Sequence, residues 1–291
     1  INTLGGDGLW DEEDGFYYDQ LIIDHQNPIP LKVRSLVGLL PMIAVTVLDQ
    51  RTIDALPGFK KRMTWFLENR PELAKYVSYG DCGTGEDHRH SLRLLAIPSQ
   101  ERLRRCLERL VDEDEFLSSF GIRSLSKVHA KKPFQFSHGG EYNEVSYVPG
   151  ESDSWMFGGN SNWRGPVWFP VNYLIVEALE RYHHFYGDSF KIEAPAGSGH
   201  ELTLNQIAHL ISERLISIFQ KSSGGYRPCF GGGLAKRYDD DPNWQNLVLF
   251  HEYFHAETGE GLGASHQTGW TSLVVRLVRE RAEKLTDYHQ A

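Results

Sequence analysis

Cysteine is scarce in this sequence. Its three cysteines, Cys82, Cys106 and Cys229, stand far apart with no C-x-x-C pair, so neither a disulfide framework nor a cysteine zinc site is written in it, and a reducing, cytoplasmic setting is the default expectation. Long apolar runs are missing too. The most apolar stretch, Leu36 to Leu48, contains Gly38 and Pro41 and follows Lys32 and Arg34; it is too short to span a bilayer and reads as a buried helix. There is no excess of positive charge. Lys and Arg number 30 against 39 Asp and Glu, a formal charge of -9, which argues against nucleic acid or an anionic membrane as a partner because both reward a basic face. An initiator methionine, a signal peptide and a transit sequence are also absent. The chain opens in a loop, Asn2-Thr3-Leu4-Gly5-Gly6-Asp7-Gly8, and that start looks like a cut inside a longer protein.

What is present can build a large core, since 40% of the 291 residues are hydrophobic and 12% aromatic, enough for one large domain or two small ones. Leu103, Cys106, Leu107, Leu110 and Val111 recur at helical spacing after Pro98-Ser99, so a helix is predicted from about Ser99 to Glu113 with Ser99 as its N-cap. Phe59, Met63, Phe66 and Leu67 mark a shorter helix that Pro71 limits. Val171 to Tyr186 is a third, stopped by Gly187, and Thr203-Leu204-Asn205-Gln206 has the form of a capping box that leads into Ile207, Ala208, Ile211, Leu215, Ile218 and Phe219. A last helix carries Leu273, Val274, Leu277 and Val278. Strands are few: 15–18 with 29–33 suggest one hairpin and 141–148 a second. No βαβ alternation, nucleotide-type glycine loop, linker or low-complexity tract appears. The expectation is a single all-α unit over residues 1–291 with small β-hairpin insertions.

Three predicted helix starts share one chemistry. Val33-Arg34-Ser35, the run Asn162-Trp163-Arg164-Gly165-Pro166-Val167-Trp168, and Thr268-Gly269-Trp270-Thr271 each place Arg or Trp at a helix N-terminus. In an α/α barrel alternate helices point the same way, so these ends are expected at one mouth. Ring faces and a fixed guanidinium fork suit a polyhydroxylated ligand, the rings stacking on C–H faces and the fork bonding hydroxyls. For any single tryptophan the competing assignment is core packing.

His251-Glu252-Tyr253-Phe254-His255 fits H-E-x-x-H, which on a helix sets two imidazoles on one face for zinc with the glutamate as base. A zinc metallopeptidase is therefore an alternative reading. Its context is poor: a third ligand at metzincin spacing needs Gly at 258 and His at 261, where the chain has Thr258 and Gly261. Glu280 and Glu283 lie too far downstream to serve, and Gly259, Gly261 and Gly263 break a helix within a turn of His255. No cofactor or metal ion is expected, and His88, His90, His183 and His184 read as solvated surface. Without zinc, Glu252 ends an apolar segment, Leu247 to Phe250, just before a glycine-rich loop. A carboxylate desolvated on one side and open on the other is placed to act as a base on water.

Three groups of residues, in order along the chain, carry a family resemblance. They are Leu9-Trp10-Asp11 through Gly15-Phe16-Tyr17-Tyr18-Asp19; the Trp163 to Trp168 run with Asn172-Tyr173-Leu174; and Glu252-Tyr253-Phe254 through Thr258-Gly259 to Gly269-Trp270. Together they resemble glycoside hydrolase family 63, the processing-glucosidase-like family and its microbial relatives, over nearly the whole chain. The resemblance implies an (α/α)6 barrel and an inverting mechanism on α-linked glucosides, with an oligosaccharide or small α-glucoside as substrate. It puts the general base on Glu252 and lines the pocket with Trp163, Arg164, Trp168 and Trp270. Arg34 joins them only through the helix-end argument.

In that family the general acid is an aspartate roughly a hundred residues before the W-D-x-x-x-G-F-Y-Y-D segment, so it is expected upstream of Ile1. About six helices are also half of the twelve in a complete barrel. The chain therefore reads as the C-terminal part of a longer catalytic domain whose N-terminal half is its expected partner, and alone it is expected to lack activity. A non-catalytic carbohydrate-binding half-barrel is a further alternative. Asp81, Glu86 and Asp87, and the run Asp239-Asp240-Asp241, read as solvated surface without calcium-loop spacing.

Overall fold

The computed structural model describes residues 1–2, 8–23, 27–74, 77–82, 90–151, 153, 164–231, 235–245 and 247–290. Among these residues, five helices of more than ten residues stand close to where periodicity places them: α1 (Pro57–Asn69), α2 (Gln100–Leu110), α3 (Phe169–Tyr186), α4 (Leu204–Ser217) and α5 (Val274–Gln290). Their ends follow local chemistry. The Ser99 hydroxyl accepts the Arg102 N–H, and Thr203 and Gln206 close a reciprocal capping box, each side chain bonding the other's backbone. Gly187, at φ +62°, ends α3 where a Cβ would be strained. α3 is the central element. Its Phe169, Asn172, Tyr173, Ile175, Val176, Ala178, Leu179 and Tyr182 are all buried, and it packs along α4 and across the strand Val45–Asp49 within one continuous core.

The all-helical expectation is corrected to a mixed fold, 42% helix and 20% strand, with several small sheets. The apolar stretch after Arg34 is not one helix. Leu36–Leu39 is a 3-10 turn, Leu40–Ile43 a single helical turn, and Val45–Asp49 a strand. Two features explain this. Gly38 lies so close to β-strand Phe16–Tyr17 that a Cβ would come within 2.2 Å of the Phe16 ring and 2.3 Å of the Tyr17 carbonyl, which ties the turn down. Val45-Thr46-Val47 is β-branched and restricts χ1, favouring an extended chain. That strand pairs antiparallel with His90–Ala96, which pairs in turn with Val77–Cys82. The hairpins also shift. Phe16–Tyr17 pairs with Trp10–Asp11, Ile29–Leu31 with Asp19–Leu21, and Glu141–Val145 with Phe134–His138. Cys106 and Cys229 are free and buried, and burial pushes the Cys106 thiol up to about 12.

Two of the three expected helix starts, those at Arg34 and at the Gly165–Trp168 run, are joined through backbone pairing between loops. Segment 34–36 pairs with 123–126 by Leu36 N–H to Ser124 C=O at 2.9 Å and Ser126 N–H to Arg34 C=O at 2.8 Å. Segment 123–126 pairs with 165–167 through Ser124 N–H to Pro166 C=O at 3.1 Å, and Val167 pairs with Phe254 by reciprocal bonds of 2.8 and 3.0 Å. Ser124 clasps the middle of this array: its hydroxyl accepts the Gly165 N–H and donates to the Pro166 carbonyl, both at 2.7 Å. Gly165 is required there, because a Cβ would lie 1.6 Å from the Val148 carbonyl oxygen. At the base of the array Asn172, fully buried in the first turns of α3, donates to the Ile122 and Trp168 carbonyls and accepts the Ile122 N–H at 2.6 Å.

Asn172→Ala leaves the Ile122 N–H and C=O buried without partners, each worth about 1–3 kcal/mol. Chemical unfolding of the protein that carries this chain is expected to show a loss of about 2–5 kcal/mol; a loss below 1 kcal/mol contradicts this placement.

Candidate active site

Glu252 stands where a loop becomes a strand. Tyr253–Phe254 pairs with Gly261–Leu262, and the pairing continues outward: Glu252 N–H donates to the Ala264 carbonyl at 2.9 Å and Gln267 N–H to the Phe250 carbonyl at 2.6 Å. The carboxylate is held by the same ladder, its Oε2 accepting the Ala264 N–H at 3.0 Å. Oε1 makes no hydrogen bond among the described residues. The glycines of this loop make room for the site. Gly263, at φ +67°, sits so near that a Cβ would come 2.8 Å from Glu252 Oε2 and 2.5 Å from the Tyr253 ring, and a Cβ on Gly261 would press into the His251 ring at 2.2 Å.

Aromatic residues form the wall behind Glu252. The Trp168 ring, 1% exposed, stacks on Tyr253 with centroids 4.7 Å apart and meets Trp270 edge-on at 6.2 Å. Trp270 is half-buried, and its indole N–H donates to the Glu252 carbonyl at 3.0 Å. Tyr253 donates its hydroxyl to Glu151, 2.8 Å from each carboxylate oxygen. Burial first, and then that hydrogen bond, raise the Tyr253 pKa, so the phenol stays protonated.

This geometry does not fit a zinc site. H-E-x-x-H presents two imidazoles to one ion only on a helix, and here its centre is a strand. The His251 ring is 5% exposed and packed on Phe254, its two nitrogens without hydrogen bonds among the described residues. His255 is engaged elsewhere, its Nδ1 accepting the Glu257 and Thr258 N–H groups at 3.2 Å.

Residues 92–271, more than half of the chain, match the family described as the mannosylglycerate hydrolase MGH1-like glycoside hydrolase domain. The chain belongs to that glycoside hydrolase family. It is 47% identical over 275 residues to the uncharacterized protein YMR196W of Saccharomyces cerevisiae, covering 94% of this chain and 25% of that protein. It is 25% identical over 274 residues to the "Probable mannosyl-oligosaccharide glucosidase" of Schizosaccharomyces pombe, covering 94% of this chain and 21% of that one. Over 123 residues, 42% of this chain and 11% of the relative, it is 24% identical to the mannosyl-oligosaccharide glucosidase of S. cerevisiae. The chain thus spans a quarter or less of the length of these relatives, and its kinship to family 63 processing glucosidases stands. No helix among the described residues is long and apolar enough to cross a membrane.

Within this glycoside hydrolase domain the remaining expected site residues separate by burial. Arg164 is half-buried, and burial lowers its pKa while the Asp19 carboxylate opposes the shift. Trp163, Glu86 and Asp87 lie outside the described residues. Trp168 is too deep to offer a ring face to a ligand. Arg34 is engaged within the chain: Nη1 pairs with Glu115 at 2.6 Å, Nη2 with Asp14 at 3.6 Å, and Nε donates to the Tyr18 hydroxyl at 3.3 Å. Glu115 also takes Arg109 at 2.9 Å, while Lys32 bridges Asp11 and Asp14 at 2.9 and 3.1 Å. Arg123 belongs to no motif that marks it in the sequence. It is 2% exposed, binds Glu257 and Tyr147, and donates to the Glu113 and Leu117 carbonyls, fixing the loop after Phe254. Glu151 was missed as well; three residues after Val148, its only advance sign was proximity to the W-R-G run.

His251 and His129 make stability depend on pH. Burial, with His266 adding to it, lowers the His251 pKa below the ordinary 6.5; burial likewise lowers that of His129. Their stabilisation is complete above pH about 6.5 and is lost as the pH falls below it, because the unfolded chain then binds protons the folded one refuses. Unfolding midpoints are expected to fall between pH 7 and 5.5, and His251→Leu to fall less steeply. Parallel slopes contradict this.

Proposed function

We propose that this chain supplies the general base of an inverting α-glucosidase, with Glu252 as that base. The observation that carries the reading is the unequal use of its two oxygens: Oε2 is pinned by the Ala264 N–H while Oε1 makes no hydrogen bond among the described residues. A base needs that combination, a fixed carboxylate with one lone pair available to water. In the proposed reaction water gives its proton to Glu252 and attacks the anomeric carbon from the face opposite the leaving group. A second carboxyl, about 6.5–9.5 Å from the first, protonates the leaving oxygen. That acid is proposed to be an aspartate outside residues 1–291, in an (α/α)6 barrel of which this chain forms the C-terminal part. The quarter-length coverage of the yeast relative supports a catalytic domain larger than this chain.

Trp270, Arg164 and Trp163 are proposed to touch the sugar. Trp168 is proposed to act behind them by holding Tyr253 and Trp270, and Arg34 by anchoring the segment on the far side of the array. The substrate is proposed to be an oligosaccharide or small α-glucoside; kinship to the mannosyl-oligosaccharide glucosidases supports a glucosyl group in the reacting position.

Glu252→Gln in the full-length protein is expected to lower kcat on an α-glucoside by about 10²–10⁴ with KM little changed. Residues 1–291 alone are expected not to hydrolyse an unactivated disaccharide. Wild-type turnover by Glu252→Gln removes Glu252 from the mechanism, and disaccharide hydrolysis by the isolated chain places the acid within it.

A further inference from the structure

A cavity of about 690 Å³ opens between the turn after α4, the helix Ala235–Asp240 and the loop that follows the strand Tyr253–Phe254. Its volume lies within the roughly 300–1,000 Å³ usual for small-molecule sites. Ser222, Tyr226, Lys236, Asp240 and Thr258 line it.

Its walls are held in place. Ser222 N–H donates to the Tyr226 carbonyl at 2.8 Å and Gly225 N–H to the Ser222 carbonyl at 2.9 Å, closing a turn that Gly225 completes at φ +86°. The Arg227 guanidinium ties the foot of that turn to the Phe219 carbonyl. Across the cavity, the short helix is anchored by its Tyr238, buried and stacked on Phe230 with centroids 4.1 Å apart and planes 10° apart, with Trp244 edge-on at 5.4 Å.

The polar groups facing this space are uncommitted. Tyr226 is 53% exposed, and its hydroxyl, the Ser222 hydroxyl, the Lys236 ammonium and the Asp240 carboxylate make no hydrogen bond or ion pair among the described residues. Lys236 and Asp240 stand four residues apart on one helix, the spacing of a surface ion pair, yet none joins them.

An accessible ring, two hydroxyls, one ammonium and one carboxylate form a characteristic combination. The ring offers a face to C–H groups, the carboxylate accepts from hydroxyls and the ammonium donates to them. Lys236 and Asp240 cancel in charge, and the Arg227 guanidinium, still cationic, donates to the Phe219 carbonyl at the foot of the turn. We propose that it is a second saccharide-binding site, taking a neutral oligosaccharide and separate from the sugar contacts around Glu252. The class of ligand rests on membership of a glycoside hydrolase family, and the assignment does not depend on Glu252 being the base.

The test is titration of the full-length protein with maltoheptaose and with maltose, in a Glu252→Gln background so that nothing is turned over. Tyr226→Ala and Asp240→Asn, both at exposed positions, are expected to keep the melting temperature and weaken maltoheptaose binding about three- to tenfold, leaving maltose binding unchanged. Equal heptaose affinity in all three proteins, or displacement of the heptaose by inorganic phosphate, overturns the proposal. Residual hydrolysis by Glu252→Gln would count against the catalytic reading alone, because the Tyr226 comparison is made by binding.

Discussion

The backbone pair between Val167 and Phe254 is the contact on which the candidate site depends. It joins two segments 87 positions apart in sequence, one leading into α3 and the other carrying Glu252, and the bond pattern leaves no freedom of register. Everything nearby is registered to it. Ser124 locks the Val167 segment to 123–126, Asn172 locks α3 to Ile122, and Trp168, next along from Val167, comes to lie against Tyr253, next along from Glu252. A helix-rich chain has few ways to bring distant loops into fixed contact, and short β-bridges supply one at the cost of little sequence.

The chemistry then rests on where side chains can and cannot fit. Gly165, Gly261 and Gly263 each stand where a single added carbon would strike a carbonyl, an imidazole or the Glu252 carboxylate itself. The W-R-G-P-x-W run therefore has a structural meaning beside any contact with sugar: its glycine lets two loops cross, its proline carbonyl receives Ser124, and its second tryptophan is a backing wall. Tyr253 links that wall to Glu151, which brings a second carboxylate to the neighbourhood of Glu252 without sharing a proton with it directly.

Much of this was legible in sequence where the signal was local. The five long helices among the described residues, the Ser99 cap and the Thr203–Gln206 box follow from periodicity and end chemistry within a few residues. The three-stranded sheet was not legible, because a continuous apolar run such as Leu36 to Leu48 has the same pattern as a helix or a strand until its partner is known. His251 to His255 misleads for a related reason: the motif implies zinc only on a helix, and the following glycines, read as helix breakers, turn out to be the far strand of a hairpin and the space under its side chains. Burial was out of reach as well. Trp168 and Trp270 are alike in sequence, and only the stacking of Tyr253, on the hairpin, against Trp168 makes one a wall while the other stays half-buried. Arg34, placed at a helix start, meets Glu115 from 81 positions away.

The stereochemistry of the first product tests the central claim most directly, since a base acting on water through Glu252 inverts the anomeric carbon in a single displacement. Proton NMR of an α-glucoside digest by the full-length protein, followed before mutarotation, is predicted to show β-glucose accumulating first. Initial release of α-glucose would contradict the account.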